Sequence, residues 1–274
     1  MFVHNIDPVF LSIGSLEIRY YGIVYALGFL LLYYALKKHS NLDEKQRDSL
    51  LLAVLLGMII GARVFFFLFY RPDLFSIQEF FAVWNGGMSF HGGFIGLVTG
   101  LYFWSKKYKQ NMWELADIGA LYTGGILFLG RITNFINAEI IGTVSQHSWC
   151  VVFPTYDDVC RHPAQLYAAI KNLFLLGTTL ALWARKKYTP GFIFWIFTLM
   201  YAILRFIVNY WREDTAILLG LKMGQLLSLG IGIGAIIVLY TRYKRDIREF
   251  FKKGETHEKT THSSKHKNLP KRHR

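Results

Sequence analysis

Arginine and asparagine side chains recur one helical turn apart inside long apolar stretches of this sequence. Arg131 precedes Asn134, and Arg205 precedes Asn209, so each pair would lie on one face of a helix. Arg63 is a third arginine in apolar surroundings. A charged side chain at the centre of a bilayer costs at least ~2.5 kcal/mol and usually faces a cavity or a partner. Because a guanidinium group matches the geometry of phosphate, these arginines predict a buried site for an anion.

The alternative is that each arginine has only a structural role. A long basic side chain can extend to the membrane interface, and an intramembrane ion pair with Glu114, Asp117 or Glu139 would also satisfy the charge. The sequence leaves this alternative open for any single arginine.

His91 is the other residue whose type suits chemistry. It lies in a glycine-rich run with glycines at 86, 87, 92 and 93, which allow close approach of another helix or of a ligand. An imidazole accepts a proton near neutral pH and could act as the general base on a thiol. A structural hydrogen bond to a neighbouring helix is the alternative role.

These residues must be positioned by membrane-spanning helices. The chain of 274 residues is 53% hydrophobic, and its charges occur in short clusters between long apolar runs. A helix needs about 20 apolar residues to cross the hydrocarbon core. We therefore predict an all-α polytopic membrane protein of about seven transmembrane helices, with a short amphipathic stretch at 77–83. The predicted spans are 17–36, 49–70, 88–105, 114–136, 164–184, 191–211 and 224–241.

The polar stretch of about 137–163 predicts a small extracytoplasmic head inserted in a transmembrane domain of residues 1–241. Basic clusters after spans one, three, five and seven place the N-terminus and head outside and the C-terminus in the cytoplasm.

Residues 1–16 are interpreted as an external lead-in and not as a signal peptide. Residues 242–274 predict a basic, disordered cytoplasmic tail that can touch anionic lipid. Cys150 and Cys160 both lie in the head. The sequence does not decide whether they form a disulfide or remain two free thiols.

The formal net charge of +13 does not indicate nucleic-acid binding, because the basic residues flank apolar spans. Neither cysteine lies in a metal-ligand pattern, and the histidines of the tail lack a spacing that fixes a coordination geometry. We expect no metal or organic cofactor.

Six sequence blocks in one order resemble the prolipoprotein diacylglyceryl transferase family, from about Asp7 to about Tyr240. The most specific is GRITNFINAEIIG at 130–142. The others are YYG at 20–22, GAR at 61–63, WNGGMSFHGG at 84–93, RHPAQLY at 161–167 and MGQLLS at 223–228.

The resemblance implies a reaction at the membrane. Phosphatidylglycerol would give its diacylglyceryl group to the lipobox cysteine of a preprolipoprotein signal peptide, forming a thioether and releasing glycerol phosphate. Arginines in a dry cavity would stabilise such a leaving group. The expected partners are therefore phosphatidylglycerol, lipobox signal peptides and membrane lipid.

The same resemblance assigns roles to residues of this chain. It implies catalytic roles for His91, which would activate the thiol, and for Arg131 and Arg205, which would clamp the headgroup. The positions matching residues that bind phosphatidylglycerol are Tyr21, Arg63, Arg131, Asn134, Asn137, Glu139, Gly142, Arg205 and Arg212.

Three positions depart from the family pattern. Thr133 and Ala138 replace common glycines, and Asn209 stands where many members have a glutamate one turn after the second arginine. The segment between Gly142 and Arg161 is also short.

The competing hypothesis from another class is a transporter or channel that binds an anionic solute at the midplane, although the two halves of the chain show no internal repeat.

Overall fold

The computed structural model describes residues 2–14, 16–83, 86–185 and 188–250, without the side chains of Leu16, Phe90 and His91. This part of the chain contains eight α-helices and seven short strands, followed by a helical segment at 244–250. In chain order they are β1 (Phe2–Val3), β2 (Val9–Ile13), β3 (Leu16–Arg19), α1 (Tyr20–His39), α2 (Glu44–Phe69), α3 (Ile77–Phe81), α4 (Phe90–Lys107), α5 (Met112–Ile136), β4 (Val151–Val152), β5 (Cys160–Arg161), α6 (Ala164–Ala184), α7 (Phe192–Val208), β6 (Ala216–Leu218), β7 (Leu221–Lys222) and α8 (Met223–Arg242).

The predicted helical membrane fold is confirmed. Six helices of the described chain, namely α1, α2, α5, α6, α7 extended to Trp211, and α8, are long and apolar enough to cross a membrane. Their ends lie within about five residues of the predicted spans, and those of α6 coincide with them. Helix α4 matches the third predicted span but is not among these six. The count of seven therefore stays a prediction.

The chain forms two compact units, Val9–Ile126 and Met1–Pro8 with Leu127–Arg274. In the first unit, β2 and β3 form an antiparallel hairpin before α1. Helix α2 is capped by Asp43, whose carboxylate accepts a hydrogen bond from the Gln46 amide in a capping box. Helices α2 and α4 pack through glycines, because a side chain at Gly57 or Gly61 would collide with the backbone of Gly96 or Gly92.

The second unit contains a small three-stranded sheet, in which two strands of the segment predicted to be the head pair with the N-terminal strand β1. Strand β1 pairs in parallel with β4, and β4 pairs with β5 in antiparallel register. A disulfide joins Cys150 to Cys160 across the hairpin, so the structure resolves the alternative that the sequence left open. Phe153 is fully buried and packs with Ile141 and Val151. The head is thus held by covalent, backbone and apolar contacts.

Helices α6, α7 and α8 complete the second unit. The cluster of Phe192, Leu239 and Tyr243 joins the beginning of α7 to the end of α8. Residues 244–250, which the sequence analysis assigned to the tail, are helical, and Asp246 accepts a hydrogen bond from the Thr189 amide at 2.9 Å. Ordered structure therefore continues past residue 242, while residues 251–274 lie outside the described part.

Candidate active site

A small cavity in the second unit is lined by basic side chains from three helices. Its volume is about 30 Å³, which is room for roughly two water molecules. Helix α5 contributes Arg131, α6 contributes Lys171, and α7 contributes Arg205. The remaining lining residues are Ile140, Ala164, Ala168, Val208, Asn209 and Arg212.

The end of α5 carries a polar network that includes the first arginine. The Arg131 guanidinium donates to Asn134 Oδ1 at 3.0 Å, as the spacing of three residues predicted. Asn134 and Asn137 in turn donate to the two carboxylate oxygens of Glu139, at 3.0 Å and 3.3 Å. Gln165 donates to the backbone carbonyl of Glu139 at 2.6 Å. This network fixes the chain direction where α5 ends.

Arg205 and Lys171 both lie beside the ring of Tyr201. The Arg205 guanidinium donates to Tyr201 Oη at 3.0 Å, and Lys171 Nζ lies 4.3 Å from the ring centroid. Lys171 also donates to Asn172 Oδ1 at 2.7 Å. With 8% of its surface exposed, Lys171 is buried at the cavity wall.

Arg212 follows α7 and completes the basic lining. Its Nε atom lies 3.1 Å from Asp214 Oδ2, an ion pair without the alignment of a hydrogen bond. Burial lowers the pKa of the Arg212 guanidinium, Arg205 lowers it further, and Asp214 opposes both effects. The group stays cationic at neutral pH, because the ordinary pKa of arginine lies far above neutral.

The chain beyond α7 is fixed by a lysine that caps several carbonyl groups. Lys222 Nζ donates to the carbonyl oxygens of Asn209, Tyr210 and Arg212 at 3.1, 3.1 and 2.5 Å. Asn209 is buried, and its amide nitrogen lies 3.5 Å from Asp214 Oδ2. Asn209 therefore lies beside a carboxylate instead of supplying one.

The electrostatic character of the cavity follows from this lining. Four residues are basic, and none of the lining residues identified in the described chain is acidic. A phosphate group at this lining would meet several cationic donors at once, and hydrogen bonds from charged donors are stronger than those between neutral groups. With a volume of about 30 Å³, the cavity is too small for acyl chains, which must lie outside it.

Gly142 and Arg161 connect the head to this site. A side chain at Gly142 would collide with the backbone of His162, so this position requires glycine for close packing. Gly142 also bridges to Arg212, and its carbonyl accepts from Arg161 at 3.1 Å. Gly142 thus positions the Arg212 backbone, and the prediction that it binds lipid remains a prediction.

Three predicted site residues belong to the other compact unit. Arg63 is buried and donates to the carbonyl groups of Phe80, Gly86 and Gly87, so it anchors the chain before α4. Tyr21 stacks on Tyr25 with ring centroids 6.0 Å apart. His91 lies in the first turn of α4, and its side chain is outside the described residues. The roles predicted for these residues stay predictions.

Lys171 and Gln165 were not among the residues predicted for the site. A signal for Lys171 was present, because it is a lysine inside the predicted span 164–184, where ionisable residues usually face a polar partner or cavity. Gln165 had no comparable signal, since its fully buried contact with the Glu139 carbonyl joins residues 26 positions apart.

A second cavity, in the first unit, has a different character. It measures about 540 Å³ and is lined by apolar residues, namely Val64, Phe67, Leu68, Pro72, Phe75, Ile77, Phe80 and Phe81. This lining provides no group for acid, base or phosphate chemistry, so the basic cavity is the better candidate for the reaction.

Comparisons with known proteins agree with the resemblance. The family profile described as prolipoprotein diacylglyceryl transferase matches residues 8–241. Three similar proteins carry the name phosphatidylglycerol–prolipoprotein diacylglyceryl transferase. The protein of Vibrio vulnificus YJ016 is 39% identical over 88% of this chain and 93% of its own length. That of Mannheimia succiniciproducens is 37% identical over 87% and 94%, and that of Pasteurella multocida is 40% identical over 85% and 91%.

The profile covers every block on which the resemblance rests, and the relatives are aligned over nearly their whole length. The chain belongs to the prolipoprotein diacylglyceryl transferase family.

Proposed function

We propose that this protein transfers the diacylglyceryl group of phosphatidylglycerol to the lipobox cysteine of a preprolipoprotein. The names of its relatives favour this transferase over an anion transporter. The observation that carries the proposal is the cavity in which Arg131, Lys171, Arg205 and Arg212 converge. Its donors suit a phosphate group, which the lipid donor supplies.

The transfer step is a displacement at carbon. The cysteine sulfur attacks the glyceryl carbon that bears the phosphate ester oxygen, and a thioether bond forms as that C–O bond breaks. The electron pair stays on the oxygen, so glycerol phosphate leaves. The phosphate group gains negative charge during this step, and fixed cations therefore stabilise the transition state more than the bound lipid.

Each site residue has a proposed role in this step. Arg131 and Arg205 hold the phosphate, with Arg212 as a further contact. His91 accepts the thiol proton. The network of Asn134, Asn137 and Glu139 orients Arg131, since Asn134 contacts both the guanidinium and the carboxylate. Tyr21, Arg63 and Gly142 are kept as lipid-site positions on the family resemblance. No cofactor takes part.

The proposed orientation follows from the basic clusters. Lys37, Lys38, Lys106, Lys107 and Arg185 lie at or just beyond the C-terminal ends of α1, α4 and α6. Positive residues favour the cytoplasmic side, so the N-terminus and the head would face outward, where exported proteins emerge. The protein would then act in the cell membrane without nucleic acid as a partner.

The test is transfer from labelled phosphatidylglycerol to a lipobox peptide by the purified protein. We expect Arg131→Ala and Arg205→Ala each to reduce turnover by at least about a hundredfold, because each removes donors from the leaving group. His91→Asn should also reduce it, if the imidazole is the base. Arg245→Ala is a matched control, because this arginine is exposed at its ion pair with Glu249. Full activity of a folded Arg205→Ala protein would contradict the proposed clamp.

A further inference from the structure

Lys171 is held at the cavity wall by contacts on two sides. Its amine donates to Asn172 Oδ1 at 2.7 Å and lies 4.3 Å from the Tyr201 ring centroid. Both neighbours are neutral, and neither supplies negative charge. The Lys171 amine is therefore buried beside Arg131 and Arg205. None of the described residues that line this cavity is acidic. Such an arrangement is unfavourable until an anion enters.

We propose that Lys171 is a specificity-determining residue that selects lipids whose headgroup carries a net negative charge. This inference rests on the proposed function, because it takes the lipid donor as the occupant of the cavity. Its subject is how the cavity distinguishes phosphatidylglycerol from a zwitterionic lipid such as phosphatidylethanolamine. Both lipids have the same phosphodiester group, so contacts with phosphate alone cannot distinguish them.

The physical basis is the difference between arginine and lysine. A guanidinium group binds phosphate oxygens through a planar fork, and it would bind the phosphate of either lipid. When an anion occupies the cavity, Lys171 supplies a compact ammonium group to a lining that already has three arginines. The ammonium group of phosphatidylethanolamine would lie a few ångströms from these cations and be repelled, whereas the glycerol hydroxyls of phosphatidylglycerol would not.

Lys171→Met tests the charge while keeping an unbranched side chain to pack against Tyr201. Nanodiscs of phosphatidylcholine would contain equal fractions of phosphatidylglycerol or phosphatidylethanolamine with matched acyl chains. We expect the variant to raise the apparent KM for phosphatidylglycerol by about tenfold, which corresponds to one lost charge-assisted hydrogen bond. We also expect it to lower the ratio of phosphatidylglycerol to phosphatidylethanolamine used as donor. Lys171→Arg should restore part of that ratio.

Lys244→Met is the matched control. Lys244 Nζ also lies 4.3 Å from a tyrosine ring, that of Tyr240, but it is exposed and does not line the cavity. This variant should keep the wild-type KM and donor ratio. A purely structural role for Lys171 would lower stability and leave the donor ratio unchanged, and that result would overturn the inference.

Thermal stability separates this inference from the proposed function. We expect phosphatidylglycerol to raise the Tm of the wild type more than that of Lys171→Met, since ligand binding stabilises the folded state. This difference is measurable even if no transfer occurs, in which case only the proposed function fails. Equal stabilisation of both proteins by phosphatidylglycerol would overturn the role of Lys171. Inorganic phosphate that stabilises the wild type as strongly as the lipid would also overturn it.

Discussion

Arg161 connects two residues of the head to the chain that follows α7 through a single guanidinium group. It donates to Asp157 at 2.5 Å, to Glu213 at 3.2 Å and to the Gly142 carbonyl at 3.1 Å. The Arg161 side chain is 9% exposed, whereas that of Asp157 is 30% exposed. The hydrogen bond from Arg161 holds the pKa of the Asp157 carboxyl below its ordinary value. The hydrogen bond therefore stabilises the folded protein at pH values above the ordinary pKa of an aspartate. This stabilisation is lost as the pH falls through the lowered pKa of Asp157.

We expect Arg161→Met to lower the free energy of unfolding by roughly 2 kcal/mol, because it removes a buried guanidinium group and leaves the buried Gly142 carbonyl without that donor. The measurement is thermal or denaturant unfolding of the purified protein, followed by fluorescence. Acid should destabilise the variant less than the wild type, since Asp157 no longer has its partner.

Arg71 gives the matched control, because it forms the same type of pair with Asp73 at 2.9 Å while both side chains are more than half exposed. Exposed pairs contribute little to stability. Arg71→Met should therefore unfold like the wild type. Equal destabilisation by the two substitutions would show that burial does not determine the effect of Arg161.

At the scale of single residues, the sequence predicted contacts along one helix better than contacts between distant segments. The Arg131 and Asn134 contact follows from helical periodicity, and it is present. The carbonyl groups that bind Arg63 lie 17 to 24 residues away, in α3 and in the loop before α4, and no periodicity points to them. Lys171 was detectable from the cost of a charge in a membrane. Its contacts with Tyr201 and its position beside Arg205 could not be predicted, because these residues lie on another helix.

At the scale of elements, the closest helix contact is between α2 and α4. Gly57 and Gly61 on α2 face Gly92, Gly96 and Gly100 on α4, each set spaced by four residues. Helices in lipid associate through such small residues, because water does not drive their packing. A methyl group at Gly96 would meet the Gly57 carbonyl oxygen directly.

We expect Gly96→Ala to separate the two helices and to destabilise the protein by about 1 to 3 kcal/mol, the usual cost of overpacking. Unfolding in detergent would measure the change. Gly177→Ala on α6 is the control, since no atom lies within 4 Å of the added methyl group. It should be neutral or slightly stabilising, because alanine favours a helix over glycine. A stable Gly96→Ala protein would show that α4 can move away from α2 at little cost.

Helix ends were predictable because the thickness of the bilayer limits the length of every apolar run. Strands were not predicted. The β2–β3 and β6–β7 hairpins are two to five residues per strand, too short for an alternating pattern to be recognised. The pairing of β1 with β4 joins segments almost 150 residues apart.

At the scale of the whole molecule, the pairing of β1 with β4 constrains the membrane topology. Phe2 is paired with Val151, and the His4 amide donates to the Val152 carbonyl, so the N-terminal strand and the head lie on the same side of the membrane. The helices α1, α2, α4 and α5 lie between them in sequence. We therefore expect an even number of crossings, in which α4 crosses with the other three. Its 18 residues span about 27 Å, close to the hydrocarbon thickness.

Labelling of single cysteines from outside the cell tests this topology. In a background of Cys150→Ser and Cys160→Ser, we expect a membrane-impermeant maleimide to label Asn5→Cys in intact cells, because Asn5 is exposed next to β1. Lys106→Cys, at the end of α4, should be labelled only after the membrane is permeabilised. In the wild type, the head cysteines should react from outside only after an impermeant reductant opens their disulfide. Labelling of Asn5→Cys only from inside, with the head reacting from outside, would mean that α4 does not cross and that β1 and β4 cannot pair in the membrane.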